Sequence, residues 1–185
     1  MFIAGNWKMN GTVAEAQALA QALVNGLPEG APATAIFPPA LHLAAVGDVI
    51  KASPIFMGGQ DCSGAENGAH TGDLSVAMLS DIGARGVIVG HSERRTDHGE
   101  SNEAILAKVQ AGQSAGLGVV AAFCSSNSTR QSTLYRAGSV AHLRCTQWMS
   151  SDWSPGRSSQ NLREPAPFCP DSRSRMLRTD LACKA

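Results

Sequence analysis

Two polar runs follow directly on short apolar stretches. Asn6-Trp7-Lys8-Met9-Asn10 comes after Phe2-Ile3-Ala4-Gly5, and His91-Ser92-Glu93-Arg94-Arg95 comes after Gly86-Val87-Ile88-Val89-Gly90. A lysine, a histidine and a glutamate shown at two strand ends make a cluster suited to an anionic substrate and to proton transfer beside a carbonyl. Taken singly each has a plainer reading. Lys8 can be a surface lysine with its stem laid on apolar neighbours, His91 a hydrogen-bonded structural histidine, and Glu93-Arg94-Arg95 a solvated charge run.

The elements that must position these residues alternate regularly. Phe2-Ile3-Ala4-Gly5 reads as a first strand. Thr12 and Glu15 form a capping box that opens a helix with Ala16, Leu19, Ala20, Leu23 and Val24 on one face, stopped by Gly26 and Pro28. Thr34-Ala35-Ile36-Phe37 is a second strand, followed by a helical run through Leu41, Leu43, Ala44 and Val49. Pro54-Ile55-Phe56-Met57-Gly58 is a third, followed by a Gly-rich polar loop over 60–73 and a helix begun by Ser75. A fourth strand covers 86–90, a helix about 102–114, and a fifth strand 117–121. Short, doubly buried strands in βαβα order imply a parallel sheet covered by helices, and pattern alone leaves a doubly wound sheet and a barrel both open.

The chain has 185 residues, 43% hydrophobic and 16% charged, which suits a globular core and excludes collagen, coiled coil and acidic disorder. No apolar run approaches a membrane span, and the N-terminus lacks the pattern of a signal peptide, so the expected compartment is the cytoplasm. Five cysteines without a C-x-x-C pair or histidines at ligand spacing read as free thiols, not a metal site. The formal charge of zero hides a division. Residues 1–123 carry 6 Lys and Arg against 11 Asp and Glu, whereas 124–185 carry 9 against 4. Composition changes at the same point: from Cys124 onward there are 12 Ser, 8 Arg, four of the five Cys, no Ile, and Val140 as the single Val. Such a segment is a poor source of buried parallel strands. The division reads as an N-terminal part, 1–123, and an atypical Ser/Arg-rich tail, 124–185, out of frame or otherwise replaced and expected to be disordered or irregular.

Four segments together resemble the triosephosphate isomerase family: Ala4-Gly5-Asn6-Trp7-Lys8-Met9-Asn10-Gly11, Gly59-Gln60-Asp61, Gly68-Ala69-His70-Thr71-Gly72-Asp73-Leu74-Ser75, and Val89-Gly90-His91-Ser92-Glu93-Arg94-Arg95. The resemblance runs from residue 1 to about 117. It implies a TIM (β/α)8 barrel, here incomplete, with the first four to five strands recognisable. It also implies interconversion of dihydroxyacetone phosphate and glyceraldehyde 3-phosphate, in glycolysis and gluconeogenesis, without metal or organic cofactor. Lys8 would hold the phosphorylated triose and offset developing charge, with Asn6 hydrogen-bonding near the same place. His91 would be the neutral electrophile on the carbonyl and enediolate oxygens. Glu93 would be a second polar group of the site or, more plainly, an ion-pair partner that orients Lys8. Ser92 would lie beside the site or cap a helix. The loop over 60–75, with Thr71 at its tip, would insert into a neighbouring subunit of a homodimer or else serve only as a long connector.

The resemblance ends before the chain does. A whole barrel of this type takes about 250 residues. The fifth-strand Cys-Val-Gly-Glu of the family is replaced by Phe123-Cys124-Ser125-Ser126-Asn127, and neither the segment bearing the glutamate base nor the Gly-Gly phosphate turn is recognisable. Glu164 lies 73 residues after His91 and precedes Pro165, but Ser158-Ser159-Gln160-Asn161-Leu162-Arg163 is no buried strand to hold it. The alternative reading is therefore a non-catalytic, truncated fragment that lacks the glutamate base and phosphate loop, with two open sheet edges. Eight scattered arginines, including Arg173 and Arg175, form no RNP, KH or zinc-finger pattern, so a nucleic-acid partner is not expected.

Overall fold

The structure is a computed structural model that describes the backbone of residues 2–123, 131–136, 139–145 and 179–182 and the side chains of residues 2–122. In the first stretch strands and helices alternate: β1 (Phe2–Asn6), α1 (Val13–Gly26), β2 (Ala33–Phe37), a 3-10 turn (Ala40–His42) running into α2 (Leu43–Ile50), β3 (Phe56–Gly59), α3 (Val76–Asp81), β4 (Gly86–Val89), α4 (Ser92–Asp97), α5 (Asn102–Ser114) and β5 (Gly118–Phe123). From β1 to β5 each strand pairs in parallel with its neighbour in sequence, four pairings in all. The sheet curls into a barrel, which decides between the two architectures that pattern left open.

Local chemistry sets the helix ends. Thr12 Oγ1 accepts from the Glu15 N–H at 3.3 Å while Glu15 Oε2 accepts from the Thr12 N–H at 2.7 Å, so the capping box is complete. Caps of this kind contribute about 1 kcal/mol. Ser75 and Ser101 cap α3 and α5 in the same way, accepting from Met78 and Ala104 N–H groups. α4 is the element that sequence pattern missed, because six residues with no buried position show no apolar periodicity. Its charge order, Glu93 in the first turn and Arg94 and Arg95 in the last, follows the helix dipole and is the signal that marks it.

Two apolar layers confirm burial of the strands on both faces. Ile36, Met57, Val87, Val89, Val119 and Ala121 pack on one side with helix residues such as Ala16, Ala20, Val46, Ile50 and Ile105. Phe2, Ala4, Ala35, Phe37, Ile88 and Val120 form a second cluster on the opposite face, inside the ring. The rings of Phe2 and Phe56 stack there with centroids 5.7 Å apart.

Three strands continue the ring: β6 (Gln131–Arg136), β7 (Ser139–Cys145) and β8 (Thr179–Ala182). β6 is antiparallel to both β5 and β7, while β8 is parallel to β7 and to β1. The two edges that the sequence suggested would stay open are therefore paired, β1 to β8 and β5 to β6. Pairing gives edge N–H and C=O groups partners that a buried rim otherwise denies them. The arrangement departs from eight parallel βα units, and it is the first five strands that carry the barrel of the TIM type.

β3 and β4 approach closely because both strands carry glycine at the contact. A Cβ on Gly58 would stand 2.4 Å from the Gly86 carbonyl oxygen and 2.4 Å from Phe37 Cε1. Gly58→Ala is expected to destabilise the fold by about 1–3 kcal/mol, the usual range for overpacking. Gly26→Ala, at a helix end with open space around it, is expected to change stability by less than about 0.5 kcal/mol. Urea unfolding of the two variants beside the parent chain checks both values.

Candidate active site

Parallel strands put all their C-terminal ends on one rim, and there the polar runs meet. Beyond the end of β1, Trp7 N–H donates to Phe37 O at 3.0 Å, so β1 and β2 stay linked past their last paired residues. Lys8 follows with φ 54°, the one non-glycine residue of positive φ among the described residues. The left-handed region costs an L-residue about 1–2 kcal/mol. Hydrogen bonds surround the strained peptide. Lys8 N–H donates to Asn6 Oδ1 at 2.9 Å, Asn10 Nδ2 donates to Trp7 O at 2.9 Å, and Gln60 Nε2 donates to both Lys8 O and Phe37 O at 2.8 Å. Each contributes about 0.5–1.5 kcal/mol net, enough together to hold the conformation.

The second half of the site comes from the end of β4. His91 is buried at the N-cap of α4, and Ser92 is the first residue of that helix, so Ser92 does not cap it. The Glu93 carboxylate lies between the other two groups. Its Oε1 is 2.5 Å from Lys8 Nζ, and its Oε2 pairs with His91 Nδ1 and accepts from Ser92 Oγ at 3.2 Å. Lys8 and Glu93 are 85 residues apart in sequence and are joined only because β1 and β4 end on the same rim. Lys8, Asn6, His91, Ser92 and Glu93 are thus gathered in one place. The ion pair that sequence offered as the plain reading of Glu93 is present, and the arrangement can place a cation and an imidazole side by side against an anionic ligand.

A second charged network lies beside it, and sequence reasoning missed it. Lys108 Nζ sits 2.7 Å from Asp61 Oδ2 and 2.5 Å from Glu100 Oε1. Arg94 Nε sits 2.8 Å from Asp61 Oδ2 and 2.6 Å from Glu100 Oε1. Two cations share two carboxylates from the end of β3, from α4, from the loop after it, and from α5. Arg95 donates to Gly90 O at 2.9 Å, to Asn102 Oδ1 at 2.8 Å and to Ala122 O at 3.4 Å, tying the end of β4 to α5 and β5. The run Glu93-Arg94-Arg95 is therefore a set of specific tethers and not a solvated charge run. No local spacing announces these contacts, since Glu93 lies 85 residues from Lys8 and Lys108 47 residues from Asp61.

Burial raises the Asp61 carboxyl above its ordinary value despite the Lys108 hydrogen bond. For Glu100, burial acts upward but is outweighed by hydrogen bonds and charges from Lys108 and Arg94, and the net shift is downward. Cys62 is buried beside them as a free thiol, pushed up to about 12 first by burial and then by the Asp61 charge, which makes it an inert core residue at neutral pH. The other four cysteines and Glu164 lie outside the residues whose side chains are described.

The loop over 60–75 is closed at its base by Ser63 N–H donating to Leu74 O at 2.7 Å and Ser63 Oγ donating to Asp73 Oδ2 at 3.0 Å. Thr71 is exposed on it. Among the described residues no group of His, Cys, Asp and Glu could hold a metal ion, and no helix is long and apolar enough to cross a membrane.

Parallel βα units curled into a ring, with the polar groups on the C-terminal rim, define a barrel of the TIM type. The sequence model of the family described as Triosephosphate isomerase matches residues 1–150. The chain belongs to the triosephosphate isomerase family. A triosephosphate isomerase of Gluconacetobacter diazotrophicus is 47% identical over 117 residues, covering 62% of this chain and 47% of the relative. One from Ruegeria pomeroyi is 43% identical over 148 residues, covering 80% and 57%. The crystal structure of the Bartonella henselae triosephosphate isomerase superposes with a TM-score of 0.60 at 43% identity, covering 65% of this chain and 49% of that one. The chain thus spans about half the length of the relatives it matches.

Glu100 gives the site network a pH signature. Its folded-state pKa lies below the ordinary 4.5, so its contribution to stability is complete above that value and is lost as pH falls through the lower folded one. Glu100→Gln is expected to flatten the acid limb of a stability profile taken by urea unfolding between pH 7 and pH 3.5. A limb as steep as that of the parent chain would show that Glu100 does not carry this loss.

Proposed function

We propose that this chain carries the β1 and β4 half of a triosephosphate isomerase site and acts on phosphorylated trioses, interconverting dihydroxyacetone phosphate and glyceraldehyde 3-phosphate. The observation that carries this reading is the Glu93 carboxylate held between the Lys8 ammonium and the buried His91 imidazole on the barrel rim. In the reaction a carbon next to the carbonyl loses a proton and negative charge develops on the carbonyl oxygen. Lys8 supplies positive charge toward the phosphate and the developing enediolate. His91 donates a hydrogen bond to the oxygens. Asn6 and Ser92 flank the substrate, and Glu93 keeps both partners in place. This reading sets the chain in the cytoplasm, in glycolysis and gluconeogenesis, and is supported by the family match over residues 1–150.

The general base sets the limit of this reading. Among the described residues, three carboxylates of the site and its adjoining network are held in ion pairs, Glu93 by Lys8 and His91, and Asp61 and Glu100 by Lys108 and Arg94. A carboxylate bound in this way is poorly placed to take a proton from carbon. That observation favours a second reading, a non-catalytic chain that keeps half a site. Coupled turnover of the 185-residue chain beside Lys8→Met, purified identically, separates the two. The first reading expects activity in the parent chain and a loss of at least about 100-fold in the variant, the scale of a positioned catalytic group. Equal background in both would establish the second.

A homodimer through the 60–75 loop is the quaternary state we propose. The loop exposes Thr71, and Met9, next to the Lys8 carbonyl that Gln60 holds, is 95% exposed, which leaves apolar surface for a partner. Light scattering is expected to return twice the chain mass of 19.2 kDa, and a monomer mass at micromolar concentration would count against the dimer.

A further inference from the structure

Gln60 lies at the end of β3, in the Gly59-Gln60-Asp61 segment to which the substrate reading gives no role. Its carboxamide nitrogen donates at 2.8 Å to two main-chain carbonyls on two other strand ends, Lys8 O and Phe37 O. Lys8 is the residue held at φ 54°. Its N–H is taken by Asn6 Oδ1 at 2.9 Å and its C=O by Gln60, so the backbone is clamped on both sides of the same residue.

From this geometry we propose that Gln60 is a positioning residue for Lys8: by joining the ends of β1, β2 and β3 it fixes the left-handed backbone that aims the lysine ammonium at Glu93 and the substrate anion. The inference rests on reading Lys8 as the substrate-binding cation. The direction of a side chain follows its backbone, and a return of residue 8 to the right-handed region would swing the Cα–Cβ bond and carry the long, flexible stem away from Glu93. Glutamine suits the task. Its amide nitrogen has two N–H donors for two carbonyls, and it carries no charge to compete with Glu93 for the ammonium. A glutamate in its place could only accept, and would draw Lys8 toward itself.

The test uses the full chain grown with 13C-labelled lysine. The sequence holds four lysines, Lys8, Lys51, Lys108 and Lys184, so the Lys8 Cε signal is assigned by its disappearance in Lys8→Arg. Glu93→Gln marks where that signal moves once the ion pair is lost. In Gln60→Met, which keeps the bulk and removes the donors, the Lys8 signal is expected to move toward the Glu93→Gln position while the Lys108 signal stays at its parent value. A Lys8 signal that does not move would overturn the proposal, and so would equal displacement of Lys8 and Lys108, the mark of general loosening. If Gln60→Met fails to fold by far-UV circular dichroism, Gln60→Asn, one methylene too short to span both carbonyls, is read by the same criteria. The readout needs no turnover. An inactive parent chain therefore removes the isomerase reading and leaves this measurement intact, and an unmoved Lys8 signal in an active chain removes this inference alone.

Discussion

The carboxylate of Glu93, seated between Lys8 and His91, depends on a constraint that organises the whole molecule. Parallel strands joined by helices must all end on one rim, and only that geometry brings residue 8 within ion-pair distance of residue 93. The curl of the sheet then sets the distance. Close approach of β3 and β4 through Gly58 and Gly86, and the apolar filling of Phe2, Phe37, Ile88 and Val120 inside the ring, hold the strand ends where the polar groups can touch. Packing and site chemistry are therefore one problem. A change in the interior shifts the rim.

Strain and charge are handled in separate but adjoining ways. The left-handed Lys8 is kept by its main-chain hydrogen bonds with neutral side chains, its N–H donating to Asn6 and its C=O accepting from Gln60, which leaves its ammonium for Glu93. The larger charged group nearby, Asp61, Arg94, Glu100 and Lys108, balances two cations against two carboxylates. Removing any one member from such partly buried surroundings leaves the remaining three charges out of balance, which is costly where they are shielded from water. That network braces the loop after α4 and the start of the 60–75 loop against α5, and it occupies carboxylates that would otherwise be available on the rim. The same arrangement that orders the site thus narrows its choice of a base.

Much of the fold was legible in the residues. The capping box at Thr12, the helix start at Ser75, and the apolar runs that became β1 to β5 are local signals, each decided within a few residues. α4 escaped because six residues without a buried position have no periodicity to read. The composition of residues 124–185 pointed away from buried parallel strands, and of the four pairings that β6, β7 and β8 make, the two that involve β6 are antiparallel. Those strands close the ring that the sequence left with two edges.

By itself the sequence determined the family, the order of the βα units and the identity of Lys8, His91 and Glu93, since these rest on residue types at fixed local spacing. Only the tertiary structure decided which of them touch. The two-carbonyl grip of Gln60 on the left-handed Lys8 segment, the tether of Arg95 to Ala122 and the Asp61–Lys108 pairing join residues distant in sequence. Their physical reason is the register and curl of a sheet, which set contacts between strand ends through packing and main-chain hydrogen bonds that no single segment encodes.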